Sequence, residues 1–170
     1  MNQEELNKYF STEWTEEFDK YALSGYDLVH KCRKRDWVLD VGCGYNPFKG
    51  SIKNLVAIDP ANTKADQVVT LEEFESDKLF DVAFCLGSIN FGNETKIRNQ
   101  IEKLLTHMKP SCKIFWRCNP GRSDHGKPST HKVPFFHWSE QWHETFCKDY
   151  GFELVELGTE IPEPNKRRIY

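Results

Sequence analysis

The stretch VLDVGCGYNPFKG, residues 38–50, decides how the rest of the chain is read. An apolar run closes on a carboxylate, Asp40, and then breaks into two glycines, Gly42 and Gly44, with one residue between them. Lacking Cβ, these glycines let the backbone turn sharply and let a flat or extended ligand approach the main chain. Asn46 offers a third unusual backbone angle, since asparagine tolerates the left-handed region. Pro47 then suits the first position of a short helix capped by Asn46. Nineteen residues beyond Asp40 stands Asp59, which ends the next apolar run, NLVAIDP. A carboxylate there can accept both hydroxyls of a ribose.

Two more runs of strand length follow, LFDVAFCLG (79–87) and CKIFWRC (112–118). Runs this uniformly apolar suit parallel strands covered on both faces. Between them, ETKIRNQIEKLLTHMKP predicts an amphipathic helix. Ile97, Ile101, Leu104, Leu105 and Met108 form its stripe, Asn93 its cap, and Pro110 its stop. WSEQWHETFCKDYGFELVEL predicts another helix, capped by Ser139, buried through Trp142, Phe146 and Tyr150, and ended by Gly151; FELVEL reads as a further strand. ADQVV reads as a weaker one. Strands alternating with helices predict a doubly wound α/β sheet, whose ligands bind beyond the carboxyl ends of the strands. Asp40, Asp59 and Gly87 all fall there.

Upstream, Leu6, Phe10, Trp14 and Phe18 recur at four-residue spacing, along one helical face. Ser24 and Asp27 predict a capping box for a second helix, with Leu28, Val29 and Cys32 inward. The expected organisation is a single domain, 1–170, made of a helical segment (1–35) and an α/β core (36–170).

At 170 residues, with 38% hydrophobic and 29% charged residues, the composition fits a globular chain. No apolar run approaches the roughly 18 to 20 residues of a membrane span, and the start, MNQEELNKYF, is polar and acidic, unlike a secretory signal. The six cysteines show no CxxC pair, and several sit inside apolar runs as small hydrophobes. The expected setting is a reduced cytoplasm. A net charge of −3 argues against bulk attraction to nucleic acid, yet residues 109–132 hold six lysines and arginines against Asp124 alone. A solvated face accounts for that asymmetry, and so does a local site for an anionic substrate.

The glycine turn and the ribose acid suit two nucleoside cofactors. A dinucleotide fold wants G-x-G-x-x-G, and Pro47 stands where its third small residue belongs. Asp40 instead suits a ligand with a positive amino group. VLDVGCGYNP, VAIDP and FDVAFCLGSIN together resemble the class I S-adenosylmethionine-dependent methyltransferases, over roughly residues 36–157. The resemblance implies a Rossmann-like, mostly parallel sheet with an antiparallel last strand, for which KRRIY is a short candidate. It also implies S-adenosyl-L-methionine as cofactor. Asp40, Gly42, Cys43 and Gly44 would line its methionine part, Asp59 and Pro60 its ribose, and Gly87 and Ser88 would pass under it. Many similar proteins carry an acid near the adenine amino group. Thr70 stands at that place here, so main chain near Leu71 is the expected adenine contact.

The implied activity is direct methyl transfer to an acceptor, expected to be a small anionic molecule, with RNA or a protein as alternatives. A (D/N)PP(Y/F) motif and a Pro-Cys pair are both absent, which disfavours amino-group DNA and cytosine-ring substrates. Acceptor contacts are expected from RCNPGRSDHGKPSTHKVPFFHW, with His125 and Asp124 as base and orienter and Arg122 for an anionic group. His125, His131, His137 and His143 recur every six residues, and His143 and Cys147 stand four apart on the predicted helix, but a zinc site would need two more convergent ligands, and packing or solvent exposure accounts for these histidines. A nicotinamide oxidoreductase and a non-catalytic cofactor-binding module are the rival readings.

Overall fold

The structure is a computed structural model that describes residues 2–13, 25–118 and 135–158. Four parallel strands form one sheet: β1 (Val38–Val41), β2 (Leu55–Ile58), β3 (Phe80–Leu86) and β4 (Met108–Arg117). Their spatial order is β2-β1-β3-β4. Central β1 is buried along its whole length, which explains why it reads as an unbroken apolar run. Asp40 pairs with Ala57 on one side and Phe84 on the other. Because β3 lies across β1 from β2, the winding changes direction between β1 and β3. Such a switch point leaves a crevice beyond the strand ends.

Both faces of the sheet are covered. On one, Leu39, Val41, Ala83 and Cys85 pack under α2 (Glu94–Thr106) and α3 (Glu140–Tyr150), through Ile97, Ile101, Leu104 and Phe146. On the other, Val38, Val82 and Phe84 meet Phe48, Ile52 and Leu28, the last from a 3-10 helix, Tyr26–Lys31. Asn93 caps α2 through Lys96 N–H, Ser139 caps α3 through Trp142 N–H, and Gly151 closes α3, as the sequence predicts.

Several expectations need correction. Met108 does not extend α2; His107 ends that helix and Met108 opens β4. From Phe80↔Met108 to Val82↔Lys113, β4 advances five residues while β3 advances two. Pro110, with no N–H to give a ladder, lies in that extra length. The segment after Gly44 is a chain of turns rather than a short helix, with Lys49 N–H donating to Asn46 O and Ser51 N–H to Phe48 O. ADQVV contributes one isolated bridge, Ile58↔Gln67. Gly25, in the left-handed region, stands at the N-cap of the 3-10 helix with no side-chain cap of its own, and Ser24 of the expected capping box lies outside the described residues. FELVEL is not a strand: residues 152–158 join no sheet among the described residues, Phe152 N–H donates back to Cys147 O at the end of α3, and Val155 is 85% exposed. An antiparallel last strand is absent among the described residues, and KRRIY lies outside them.

At the N-terminus, α1 (Gln3–Lys8) widens into a π-helical turn, Tyr9–Glu13. Leu6 and Phe10 from the predicted stripe join Phe91 in a small cluster. Trp14 and Phe18 lie outside the described residues. No described helix is long and apolar enough to cross a membrane.

Candidate functional site

Beyond the carboxyl ends of β1, β2 and β3 opens a cavity of about 1090 Å³. All nine residues expected at the cofactor line it: Asp40, Gly42, Cys43 and Gly44 after β1, Asp59 and Pro60 after β2, Leu71 from the next loop, and Gly87 and Ser88 after β3. Arg122, Asp124 and His125 lie outside the described residues.

The turn after β1 is stitched to β2, since the N–H groups of Gly42 and Cys43 both donate to Ile58 O, at 2.8 and 3.1 Å. Gly42, Gly44 and Asn46 all adopt positive φ, at 69°, 53° and 57°. The two glycines serve different ends. A Cβ on Gly42 would stand 2.5 Å from Ser88 Cβ, so that glycine lets the loops after β1 and β3 touch. Gly44 has nothing within 4 Å of such a Cβ, and its main chain lines the cavity.

Asp59 is engaged already. Its Oδ1 accepts from Ala61 N–H (2.8 Å) and Asn62 N–H (3.0 Å), and its Oδ2 from Gly44 N–H (2.9 Å). A carboxylate offers about four acceptor positions, so roughly one, on Oδ2, is left. The acid that ends β2 thereby ties its own loop to the glycine turn.

Asp40 stands apart from that network. It is 2% exposed, and its Oδ2 is shut off from solvent with no hydrogen-bond partner. Burial, and next the charge of Asp59, push its carboxyl up from 3.8 to about 7. Few buried polar atoms in native proteins lack a partner. Here three more belong to residues lining the same cavity: Ser88 Oγ, Gln100 Oε1 and Trp116 Nε1. These residues line the cavity, while the four unpaired atoms themselves are closed to solvent.

Gln100 and Trp116 were not marked by sequence reasoning. For Gln100 a signal existed. It falls between Ile97 and Leu104 on the inward stripe of α2, where a polar residue is out of place. Trp116 hides in an apolar run; its ring meets that of Trp138 at 5.2 Å, and Trp138 Nε1 donates to Ile89 O. Residues of α1 and of the π-helical turn after it also reach the cavity: Lys96 Nζ donates to Gln3 Oε1 at 3.2 Å, and Phe10 packs on Phe91.

All six cysteines are free thiols. Burial pushes those of Cys43 and Cys85 far above the ordinary range, leaving them neutral and weakly nucleophilic. His143 Nδ1 lies 2.8 Å from Ser139 O, within the first turn of its own helix. No group of three His, Cys, Asp or Glu able to hold a metal ion occurs among the described residues, and His125 and His131 lie outside them.

No family model matches the chain, and no curated protein matches it in sequence. Solved structures do. N-methyltransferase NodS from Bradyrhizobium japonicum WM9, in complex with S-adenosyl-L-homocysteine, is similar with a TM-score of 0.51 and 16% identity, over 63% of this chain and 67% of that one. The 1,6-didemethyltoxoflavin-N1-methyltransferase of Burkholderia thailandensis, with bound 1,6-didemethyltoxoflavin and S-adenosylhomocysteine, gives 0.65 and 15% identity, over 94% of this chain and 79% of that one. At such identities the likeness is one of fold: the chain has the Rossmann-like fold of the class I S-adenosylmethionine-dependent methyltransferases.

Proposed function

We propose that the chain binds S-adenosyl-L-methionine and transfers its methyl group to a small molecule bearing an anionic group. The observation that carries this reading is the buried Asp40 carboxylate, whose unpaired oxygen belongs to a residue of the cavity wall beside the glycine turn. A buried carboxylate without a partner is unfavourable until a cation reaches it, and the ammonium of an amino-acid tail is such a cation.

The residues of the chain divide the work. Asp40 takes the ammonium. Main chain from Gly42 to Gly44 lies along the tail, with no side chain at Gly44 to obstruct it. Asp59 keeps the turn in place through Gly44 N–H and offers the remaining acceptor position on Oδ2 to one ribose hydroxyl. Leu71 and Ile89 are buried apolar residues lining the base end. Bound there, the sulfonium supplies an electrophilic methyl group. His125, oriented by Asp124, takes the proton that the acceptor loses, and Arg122 pairs with its anionic group. The small acceptor is also in keeping with the Burkholderia thailandensis enzyme, whose structure holds 1,6-didemethyltoxoflavin.

Titration calorimetry with S-adenosylhomocysteine and with NAD tests the cofactor. Binding of the first alone supports the reading, whereas binding of NAD alone makes the chain a nicotinamide enzyme. Methyl-labelled S-adenosylmethionine, offered with metabolite extracts and with RNA, tests transfer. Tight binding with no labelled product in either leaves a non-catalytic cofactor module.

A further inference from the structure

Resting on the methyl-transfer reading, we infer that the acceptor is elongated, an apolar arm ended by a phosphate-like anion, and that Lys31 and Lys113 hold its charged end. At about 1090 Å³ the cavity is larger than the roughly 300 to 1,000 Å³ usual for one ligand. Part of it runs back along β4. Lys113, on its wall, is level with Val82 and so with Val38, the first residue of β1, whereas the glycine turn follows the last.

Side chains alternate across a strand, so Lys113, Phe115 and Arg117 share one face of β4. The register sets them beside Val82, Phe84 and Leu86 of β3. Phe115 and Leu86, both partly buried, pack there against the cluster that holds Leu28 and Phe84, and the rings of Phe115 and Phe84 lie 5.8 Å apart. Leu28, Leu86 and Phe115 also line the cavity, which gives this stretch an apolar floor. At the inner end, Arg117 Nη2 donates to Leu86 O at 2.6 Å. Four residues of strand carry the floor from there to Lys113, about 13 Å.

At the outer end Lys113 meets the 3-10 helix. Burial and the charge of Asp36 raise the Cys32 thiol to about 11, and the charge of Lys113 opposes them, which places Lys113 close to Cys32 and to its neighbour Lys31. Lys31 and Lys113 are exposed and form no hydrogen bond or ion pair among the described residues. Lys49, Lys103 and Lys109, in contrast, each have a carboxylate partner, in Asp66, Glu75 and Asp81. Two neighbouring ammonium groups repel, and a doubly charged anion between them relieves the repulsion. A nucleic-acid strand would lay charge along the whole floor, where the side chains are apolar. An apolar arm with its charge at one end matches both parts.

The probe is octyl phosphate below its micelle concentration, compared by calorimetry with methyl phosphate and octanol on the full chain, with and without S-adenosylhomocysteine. Octyl phosphate is expected to bind at least about tenfold more tightly than either. The double variant Lys31→Gln, Lys113→Gln should weaken octyl phosphate about tenfold and flatten its salt dependence, while S-adenosylhomocysteine binds as before. Octyl phosphate that binds no better than octanol overturns the inference, and so does a double variant with wild-type affinity and salt dependence. Capture of the chain by vesicles of an anionic phospholipid, undiminished by free octyl phosphate, also overturns it, because the cations then serve a membrane surface. S-adenosylhomocysteine bound without octyl phosphate refutes this inference alone; octyl phosphate bound without S-adenosylhomocysteine refutes the cofactor reading instead, and with it the role of acceptor.

Discussion

Replacing Asp40 by asparagine should change how stability depends on pH, in a direction opposite to that of ion-paired or hydrogen-bonded carboxylates. In the ligand-free fold the Asp40 carboxyl titrates at about 7 rather than 3.8. Between those values the native state keeps a proton that the unfolded chain has released. The contribution is fully present below about pH 3.8 and is lost as pH rises through about 7, so stability should fall over that interval. Evaluated between pH 5 and pH 8, the difference is about 2 to 3 kcal/mol, out of about 4 kcal/mol for the whole change. Asparagine carries no titrating group. It leaves an amide with its own unmet hydrogen bonds, but that penalty is the same at both pH values. Urea unfolding of the two proteins at pH 5 and pH 8 isolates the difference: the wild type should lose those 2 to 3 kcal/mol relative to Asp40→Asn. Parallel curves would refute the claim that this carboxylate is stranded without a partner. The same linkage predicts that a ligand bringing an ammonium to Asp40 expels a proton below pH 7, visible as a dependence of the binding heat on buffer ionisation enthalpy.

Gly42→Ala should destabilise by about 3 kcal/mol, since it combines a left-handed residue with a Cβ 2.5 Å from Ser88 Cβ, whereas Gly44→Ala meets no atom and should lose only about 1 kcal/mol; thermal unfolding distinguishes them. Phe84→Ala removes a fully buried ring lying 4.9 Å from Phe48 and 5.8 Å from Phe115, and a loss of about 3 to 5 kcal/mol is expected in urea titrations. Asn93→Ala deprives Lys96 N–H of its cap and should cost about 1 kcal/mol by the same measurement, with the cavity's ligand affinity unchanged.

The elements legible in the sequence are those whose surroundings are uniform. β1 and β3 are buried along nearly their whole length, so they read as apolar runs whatever lies next to them. α2 and α3 carry side-chain caps that announce their first turns. The errors arise where a local pattern has two outcomes. Met108 continues the four-residue stripe of Ile101, Leu104 and Leu105, yet a buried first residue of β4 satisfies the same spacing. FELVEL has strand composition, but a strand exists only with a neighbour to receive its hydrogen bonds. The glycine turn was readable as a turn, because positive φ at Gly42, Gly44 and Asn46 follows from residue type. Its division of labour was not, because Ser88 is forty-six residues from Gly42 in sequence. The base–orienter pair at His125 and Asp124 lies outside the described residues.

The threefold engagement of Asp59 has a consequence for how a ligand is assembled. On the proposed reading, one carboxylate would both secure the bend after β1 and meet the sugar, so the two ends of a nucleoside–amino-acid compound would not be sensed separately. Fragments should betray this: adenosine and homocysteine, offered singly, would each meet half of a site whose halves share a hinge pin. Filling one half stiffens the other, and the affinities of the pieces should multiply to less than that of the intact molecule by more than the tether alone explains.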